Sequence, residues 1–368
     1  VGSEMCIRDR ITRKDKDGVE RVSIVEIPIE RVSVPMQQVI LTKQMTHACG
    51  NDIQFIYGGT EEGEKHNDLM LELKQGWLKR NMETAKYEFV QSVKRTGDGA
   101  FCAVMENGKI TWRVFSAYNN DELHPVFGFS KNLTEFGRSY SSYDYEKQEE
   151  VIYLERWDDK YFRRYRYATS NETAGADEDG WILEGKPQLH GFSRIPIVYV
   201  QNMYGACWTT VQHLIDKLEL ALSQLFENNK SYAFRIMVIN GGFEIQGDLR
   251  GQARAILLDD PQAKAGFMEK ADVSTSFDLQ LKQTLQFILM GSFTVLPPEV
   301  RSGDLPGVAI KILYSPAVEQ AIRDKNFFND SIDQIVNLFK EGYGIEQKQT
   351  LAYSSLDVRG EIIPYVHQ

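Results

Sequence analysis

The sequence is poor in cysteine and has no long hydrophobic run. Its 368 residues include four cysteines, all widely spaced: Cys6, Cys49, Cys102 and Cys207. This spacing supports neither a disulfide framework nor a paired-cysteine metal site, and it suits a reducing cytoplasm. The most apolar stretch, near 287–296, is broken by a glycine, a serine and a proline pair. Because a membrane-spanning helix needs about 20 consecutive apolar residues, we expect no membrane span.

The first ten residues, VGSEMCIRDR, also lack features that a fold prediction could use. They have no apolar segment of the kind that a secretory leader carries, and they show no periodicity. They resemble translated adapter sequence more than protein. We therefore expect native sequence to begin near Ile11.

Positive charge is in short supply as well. The chain has 42 Lys and Arg against 52 Asp and Glu, a formal net charge of −10. Tight nonspecific binding of nucleic acid depends on many Lys and Arg that displace counterions, so this composition argues against that task. It leaves open a protein that DNA slides past.

No motif predicts an enzyme, a cofactor or a metal site. The six histidines have no zinc-type spacing. Gly180–Pro187 has the spacing of a phosphate loop, but Pro187 lacks the hydroxyl that would hold Mg²⁺, so a hairpin is expected. Gly191–Ile195 resembles half of a nucleophile elbow without its second glycine. Asp177, Asp179 and the following glycine match only part of a calcium loop, and a solvated loop is expected there.

The first half of the chain predicts a helix followed by antiparallel strands. Residues 19–41 are expected to form an extended N-terminal arm, and 65–93 an amphipathic helix that Gly76 weakens and Gly97 ends. The pair Asn107-Gly108 between two short apolar runs predicts a hairpin. Further strands are expected at 125–130, 150–156, 161–167, 181–184 and 195–200. They predict a meandering antiparallel sheet in which 141–150 and 171–180 are solvated loops.

The strand predicted at Tyr161–Tyr167 mixes three arginines with aromatic residues. Such a stretch can stack on nucleic-acid bases. Exposed strand residues explain it equally well, and both interpretations remain open at this point.

The second half of the chain has helical periodicity. From Thr209 an apolar stripe of about 25 residues predicts one helix, and Thr275–Met290 predicts a second. Between them, 234–240 and 255–258 predict strands in a small α/β insertion with a Gly241-Gly242 turn. The last turns of the second helix are apolar on nearly every side, so they need cover on every side. Neighbouring subunits could supply it, and we expect an oligomer.

A long loop and a long helix follow. Prolines and glycines keep 292–307 from forming a helix, and loops of this length inside a compact fold are usually functional or disordered. Val308–Phe339 then predicts one helix about 48 Å long. Pro316 lies inside it, where its missing N–H and its ring predict a kink. The last segment, 351–366, is expected to form strands.

Taken in order, these segments resemble the phage portal proteins of the SPP1 type. The resemblance covers about residues 20–355 and is carried by Arg95–Phe127, IPIVYVQN at 195–202, LIDKLELALSQLFENN at 214–229 and FTVLPPEVRSGDLPGVAIKIL at 293–313. Family members often have Ser-Gly before a small-hydrophobic-Lys step. Here Pro306 precedes Gly307, while Ala309, Ile310 and Lys311 fit.

The resemblance implies an α+β portal fold. In that fold, 11–205 form a β-rich wing, 206–233 and 275–291 the two stem helices, and 234–274 the clip. Residues 292–307 become the tunnel loop, 308–340 the long kinked helix, and 341–368 the return to the wing, with the helical crown of the family missing. Apolar residues would pack the stem: Leu214, Leu218, Leu222, Leu225, Leu281, Leu285 and Ile288.

The resemblance also implies sites and partners. Clip residues facing the terminase, and later the head-completion adaptor, would be Gly241, Gly242, Glu244, Asp248, Arg250 and Arg254. Tunnel-loop residues facing DNA would be Pro297, Pro298, Glu299, Arg301, Ser302, Gly303 and Asp304. One arginine against two carboxylates in this loop suits DNA that slides.

A portal of this family is a ring, usually of twelve copies, at one capsid vertex. Its partners are capsid and scaffold proteins and the double-stranded DNA that passes through it. It assembles in the bacterial cytoplasm, enters the virion, and has no catalytic residue, cofactor or membrane contact. The alternatives are another virion structural or connector protein, or a nucleotide-binding hydrolase built on the β-rich half.

Overall fold

The computed structural model contains two compact units. It describes residues 6–14, 20–28, 31–58, 64–145, 148–168, 176–177, 179–233, 237–240, 243–245, 256–258, 264–267, 274–296 and 307–365. The first unit comprises Val1–Pro35 with Gln212–Ile288, and the second comprises Met36–Val211 with Leu289–Gln368. This grouping separates residues up to Pro35 from the rest of the wing predicted at 11–205.

Helices and strands are mixed along the chain, so the predicted α+β content is confirmed. The helices are α1 (Met36–Cys49), α2 (Glu64–Lys79), α3 (Met82–Thr96), α4 (Gln212–Ala233), α5 (Ser274–Gly291), α6 (Gly307–Leu313), α7 (Ser315–Glu346) and α8 (Thr350–Ser354). Short 3₁₀ turns lie at Ala117–Asn119 and Thr209–Val211.

Every strand pairing that the structure describes is antiparallel. They are β1 (Cys6–Lys14), β2 (Glu20–Pro28), β3 (Gln54–Tyr57), β4 (Asp98–Glu106), β5 (Lys109–Phe115), β6 (Glu122–Phe127), β7 (Leu133–Asp144), β8 (Glu149–Trp157), β9 (Tyr161–Tyr167), β10 (Trp181–Leu183), β11 (Gln188–Leu189), β12 (Ile197–Gln201), β13 (Met237–Asn240), β14 (Phe243–Ile245), β15 (Ile256–Leu258), β16 (Lys264–Phe267) and β17 (Val358–Glu361).

In the first unit, β1 and β2 form a hairpin with Cys6 opposite Pro28. Strand β1 therefore begins five residues before Ile11, where native sequence was expected to start. In the predicted insertion β13 pairs with β16 and β14 with β15. The residues of that insertion that the structure describes are strands and include no helix.

The segment after β2 is tied to α4 by hydrogen bonds. Glu219 accepts hydrogen bonds from the Arg31 guanidinium at 2.9 Å and from the Val34 amide at 3.0 Å. The Ser223 hydroxyl accepts one from the Val32 amide at 2.9 Å. Burial alone would raise the pKa of Glu219, but these donors and the Ser33 hydroxyl outweigh it and hold that pKa below its usual value. A buried carboxylate thus fixes the chain before α1.

The extended arm predicted to continue to residue 41 is wrong, because α1 begins at Met36. Its buried residues, which include Ile40, Leu41 and Met45, follow a helical spacing. Pro35 immediately precedes this helix. A proline there ends the extended segment without removing any hydrogen bond that the helix needs.

The core of the second unit surrounds α7 from Phe328 onwards. Phe328, Ile332 and Phe339 are fully enclosed there. The Trp77 ring of α2 meets the Phe339 ring edge-on, with 5.3 Å between the ring centres. The Phe89 ring of α3 meets the Phe328 ring in the same way, with 6.5 Å between the centres. Such aromatic pairs contribute about 0.5–1.5 kcal/mol each beyond their buried area. Helix α7 is therefore held on the helices before it.

The two larger sheets of the second unit are antiparallel. One has the order β12-β4-β5, and the other is the meander β10-β9-β8-β7-β6, with β11 also on β9. Asn107 and Gly108 have φ of 51° and 72°. These are the left-handed values that a two-residue hairpin turn requires, so the predicted hairpin is confirmed. The meander is found only in part as predicted: the strand expected at 195–200 is β12, which lies in the other sheet, and β7 was not expected. The loop predicted at 141–150 is partly wrong, because β7 continues to Asp144 and pairs Tyr143 with Glu150.

The helix predicted at 65–93 is divided in two. The break falls at Asn81, whose φ of 54° is left-handed. Gly76 stays inside α2, where a Cβ would lie 2.7 Å from the Tyr343 ring. Gly97 ends α3 as predicted: its φ is 95° and its amide bonds to the Val93 carbonyl.

The strands predicted at 351–366 are wrong in their first part. Helix α8 occupies Thr350–Ser354, and only Val358–Glu361 form a strand, paired with β3. Tyr353 explains the helix: its ring packs on Tyr343, and its hydroxyl donates to Glu72 at 3.0 Å. A strand would take this buried side chain away from both contacts.

Candidate functional segments

The loop between α5 and α6 was predicted to carry the DNA-facing residues. Those residues lie outside the described part of the chain: Pro297, Pro298, Glu299, Arg301, Ser302, Gly303 and Asp304. Its N-terminal end is described, and we call residues 291–296 the loop root. At its C-terminal end the loop leads into α6, which begins at Gly307.

The two polar residues of the loop root, Ser292 and Thr294, are buried. The Thr294 amide donates to the Leu289 carbonyl at 2.9 Å, and the Ser292 hydroxyl lies 3.0 Å from that of Thr294. Phe293 between them has a left-handed φ of 53°. An aromatic residue seldom adopts this conformation unless its surroundings hold it. The root is thus a fixed turn.

A cavity of about 560 Å³ opens beside the loop root in the second unit. Its lining includes Tyr204, Phe293 and Phe327. The Arg323 guanidinium of α7 lies 4.6 Å from the centre of the Phe293 ring. A cation over an aromatic face is an attractive contact, so α7 helps to hold the left-handed residue of the root.

Pro316 lies at the start of a helix, and the helix predicted over Val308–Phe339 is interrupted at Tyr314. Helix α6 ends at Leu313, and α7 starts at Ser315 with Pro316 in its first turn. A first-turn N–H has no partner within the helix, so proline costs nothing there. In a continuous helix residue 316 would donate to the Ile312 carbonyl. That carbonyl instead accepts the Ser315 hydroxyl at 2.9 Å.

The predicted stem residues differ in exposure. Leu218 on α4 and Ile288 on α5 are buried. The others are half-buried: Leu214, Leu222, Leu225, Leu281 and Leu285. Three further apolar side chains of α5 are mostly exposed: Leu279 at 56%, Phe287 at 53% and Met290 at 67%. Within a single chain α5 therefore leaves apolar surface uncovered.

The predicted clip residues are described only at Glu244, which lies in β14 opposite Leu257. The others lie outside the described residues: Gly241, Gly242, Asp248, Arg250 and Arg254.

The arginines of β9 are engaged within the sheet. All three pair with carboxylates: Arg163 with Asp158 at 2.6 Å, and Arg164 and Arg166 with Glu184 at 3.5 and 3.8 Å. The Arg164 guanidinium also lies 4.3 Å from the Tyr153 ring centre. These contacts favour the interpretation of this strand as structural.

The described thiols are poor nucleophiles. Burial raises the pKa of Cys49 to about 12 and that of Cys207 to about 11, and it raises the pKa of Cys102 further. The thiolate is the reactive form, so none of these three is activated at neutral pH.

Comparison with known proteins gives a family. The model for the phage portal protein, SPP1 Gp6-like, matches residues 16–359. That range is most of the chain. This chain belongs to the phage portal protein family. No curated protein matches it. The solved structure of the neck of an empty GTA particle, computed with C6 symmetry, matches at 12% identity and a TM-score of 0.46, over 90% of this chain and 81% of that chain.

Portal proteins are structural proteins of the virion, and nothing shows catalysis in this one. Among the residues that the structure describes, no three His, Cys, Asp or Glu side chains lie together as metal ligands. No helix in the described ranges has the length and apolar character that crossing a membrane requires.

Sequence reasoning missed one group of residues in this portal protein, the buried Gln44, Lys94 and Asp324. A signal was present. Asp324 falls on the same face of α7 as Ala317, Ala321 and Phe328, at spacings of three and four, and these neighbours are buried. A charge on an apolar stripe predicts a buried partner.

Proposed function

We propose that this portal protein assembles into a closed ring at one capsid vertex and that double-stranded DNA passes through the ring during packaging and ejection. The family match over 16–359 carries this proposal. The exposed apolar side chains of α5, Leu279 and Phe287, support it. A second copy is a natural cover for them, because a head-to-tail contact that repeats by rotation closes into a ring.

Each segment then has a task. Helices α4 and α5 form the stem, and residues 234–274 form the clip that docks the terminase and later the head-completion adaptor. Residues 292–307 line the channel. The ring would have twelve copies, would meet capsid and scaffold proteins, and would assemble in the bacterial cytoplasm before it enters the virion. It needs no cofactor, because the terminase would supply the chemical work.

Electron microscopy and sedimentation of the purified chain test the ring. We expect closed rings with a central channel, in a population that grows with protein concentration. A chain that stays monomeric at high concentration would contradict the proposal. Filaments or open stacks would point instead to a different kind of head-to-tail contact.

A further inference from the structure

Three buried polar side chains from three helices converge on the loop root. Gln44 of α1 donates from Nε2 to the Ser292 carbonyl at 2.8 Å. Lys94 of α3 donates from Nζ to Gln44 Oε1 at 2.9 Å, and the same Nζ lies 2.6 Å from Asp324 Oδ2 of α7. The three side chains are 5–6% exposed. Gln320 adds a hydrogen bond to the other Asp324 oxygen at 3.0 Å.

The donor and acceptor groups of these side chains allow the hydrogen bonds to run in one direction only. Carboxylates only accept hydrogen bonds, and ammonium groups only donate them. Asp324 therefore orients Lys94, and Lys94 can meet only the oxygen end of the Gln44 amide. The NH₂ end of that amide must then point the other way, towards the Ser292 carbonyl. Reversing the amide would set a donor against a donor.

The Ser292 carbonyl is a group that needs such a partner. The last carbonyls of a helix find no N–H donor within that helix. A buried carbonyl that is left without a hydrogen bond destabilises the fold. Around the end of α5, the Leu289 carbonyl accepts from the Thr294 amide and the Met290 carbonyl from the Phe293 amide. The Ser292 carbonyl accepts from the Thr294 hydroxyl within the root at 3.3 Å, and its shorter hydrogen bond, at 2.8 Å, comes from Gln44 on another helix. The end of α5 is thus capped from α1, through a network that also involves α3 and α7.

Stability alone does not explain a buried ion pair here. Taking both charges out of water costs about as much as their attraction returns, and apolar side chains of similar volume often serve as well. What an apolar replacement would lose is the fixed orientation of Gln44.

We propose that Gln44, Lys94 and Asp324 form a clamp that fixes the position at which the loop leaves α5. This inference rests on the proposed function in one respect, the assignment of 292–307 to the channel. The clamp then sets how far the loop reaches into the channel, and it passes force on the loop to α1, α3 and α7.

Hydrogen exchange on the purified full chain, in whatever assembly it forms, tests the clamp. The variant is Lys94→Met, and the readout is the exchange of a peptide that contains the Phe293 and Thr294 amides. We expect exchange there to quicken by about tenfold, since one lost buried hydrogen bond is worth roughly that factor. Protease cleavage within the loop root should rise in parallel.

Lys86→Met is the matched control. Lys86 lies on the same helix two turns earlier, is equally buried, pairs with Glu83 at 2.6 Å and donates to the Asn51 carbonyl at 2.8 Å. It removes a buried lysine without touching the root. Equal quickening in both variants would overturn the clamp, because it would mean general destabilisation.

The double variant Lys94→Met with Asp324→Leu separates positioning from stability. With both charges gone the fold should recover most of its resistance to heat, as apolar replacements of buried pairs do. Exchange at the root should nevertheless stay quickened, because Gln44 has lost the donor that orients it. A double variant whose root exchanges as slowly as the unchanged chain would overturn the proposal. This readout does not need rings, so a failure to form them would count against the proposed function alone.

Discussion

Helices α7 and α5 differ in how far their apolar side chains are buried within one chain. From Phe328 onwards, most of the large apolar side chains of α7 are buried, among them Phe328, Ile332 and Phe339. Helix α5 is at least as apolar in its last turns, yet Leu279 and Phe287 stay largely exposed, while Ile288 is fully buried. The part of α7 from Phe328 onwards is covered by its own chain, although Ile322 and Phe327 earlier in the helix are about half exposed. Helix α5 keeps apolar side chains uncovered up to its last turns.

This difference in burial separates the side chains that stabilise one copy from those that can stabilise an assembly. Side chains that are buried within one copy contribute to folding whether or not the protein assembles. Exposed apolar side chains contribute nothing until another surface covers them, and contiguous ones mark interaction sites. Three substitutions should therefore have unequal effects on the isolated chain.

The largest loss is expected for Phe339→Ala in α7. Its ring touches Trp77 edge-on and stacks on Tyr343 at 5.6 Å. Removing a buried phenylalanine leaves a cavity as well as lost contacts, at about 3–5 kcal/mol. All five tryptophans lie in the second unit. Urea unfolding followed by tryptophan fluorescence therefore reports this unit directly.

The control for this substitution is Phe287→Ala in α5, which lies in the first unit. Unfolding followed by far-UV circular dichroism, which reports the helices of both units, should change by less than about 0.5 kcal/mol for this variant. Similar losses in both variants would break the comparison, because they would place α5 in the folding core of the single chain.

An intermediate effect is expected for Glu219→Gln in the first unit. The pKa of Glu219 lies below its usual value of 4.5 in the folded chain. A carboxylate with a lowered pKa contributes stability above the unfolded value, and that stability is lost as the pH falls through the folded value. At neutral pH the variant should lose about 1 kcal/mol, since it keeps some hydrogen bonds but not the charge.

The measurement is amide exchange at Val32 and Val34, compared between the variant and the unchanged chain at each pH so that intrinsic rates cancel. The two should differ at pH 7 and converge as the pH falls below the lowered pKa of Glu219, where its carboxyl in the unchanged chain is protonated in both the folded and the unfolded state. A difference that persists at low pH would assign the effect to packing.

The sequence could predict those features that depend on neighbouring residues. Asn107-Gly108 determines its hairpin locally, and Gly97 ends α3 for a local reason. The break at Asn81 could not be located in this way. Gly76 weakens a helix by itself, but the Tyr343 ring from far along the chain needs the space that a Cβ would fill. Tertiary contact thus keeps a helix where propensity favours a break.

The helix start at Ser315 was missed for a similar reason. Pro316 correctly indicated a disturbance, but a proline inside a periodic pattern gives no choice between a kink and a new helix. The hydroxyl of Ser315 on the Ile312 carbonyl favours the new helix. The clamp was harder still, because its three residues lie at 44, 94 and 324 and meet only in the folded chain.

The smallest loss of stability, and the most informative, is expected for Phe287→Ser in α5. An exposed side chain contributes little to the fold of one copy, so unfolding should change by less than about 0.5 kcal/mol. If α5 meets a second copy, the same change puts a hydroxyl where an aromatic anchor would be buried, and such anchors dominate interfaces. Sedimentation should then show smaller assemblies at equal concentration. Leu351→Ser in α8, which removes an even more exposed side chain, is the control and should leave the assembly unchanged. Should both variants assemble like the unchanged chain, the exposed face of α5 would have no role between copies, and the contrast with α7 would reduce to packing within one chain.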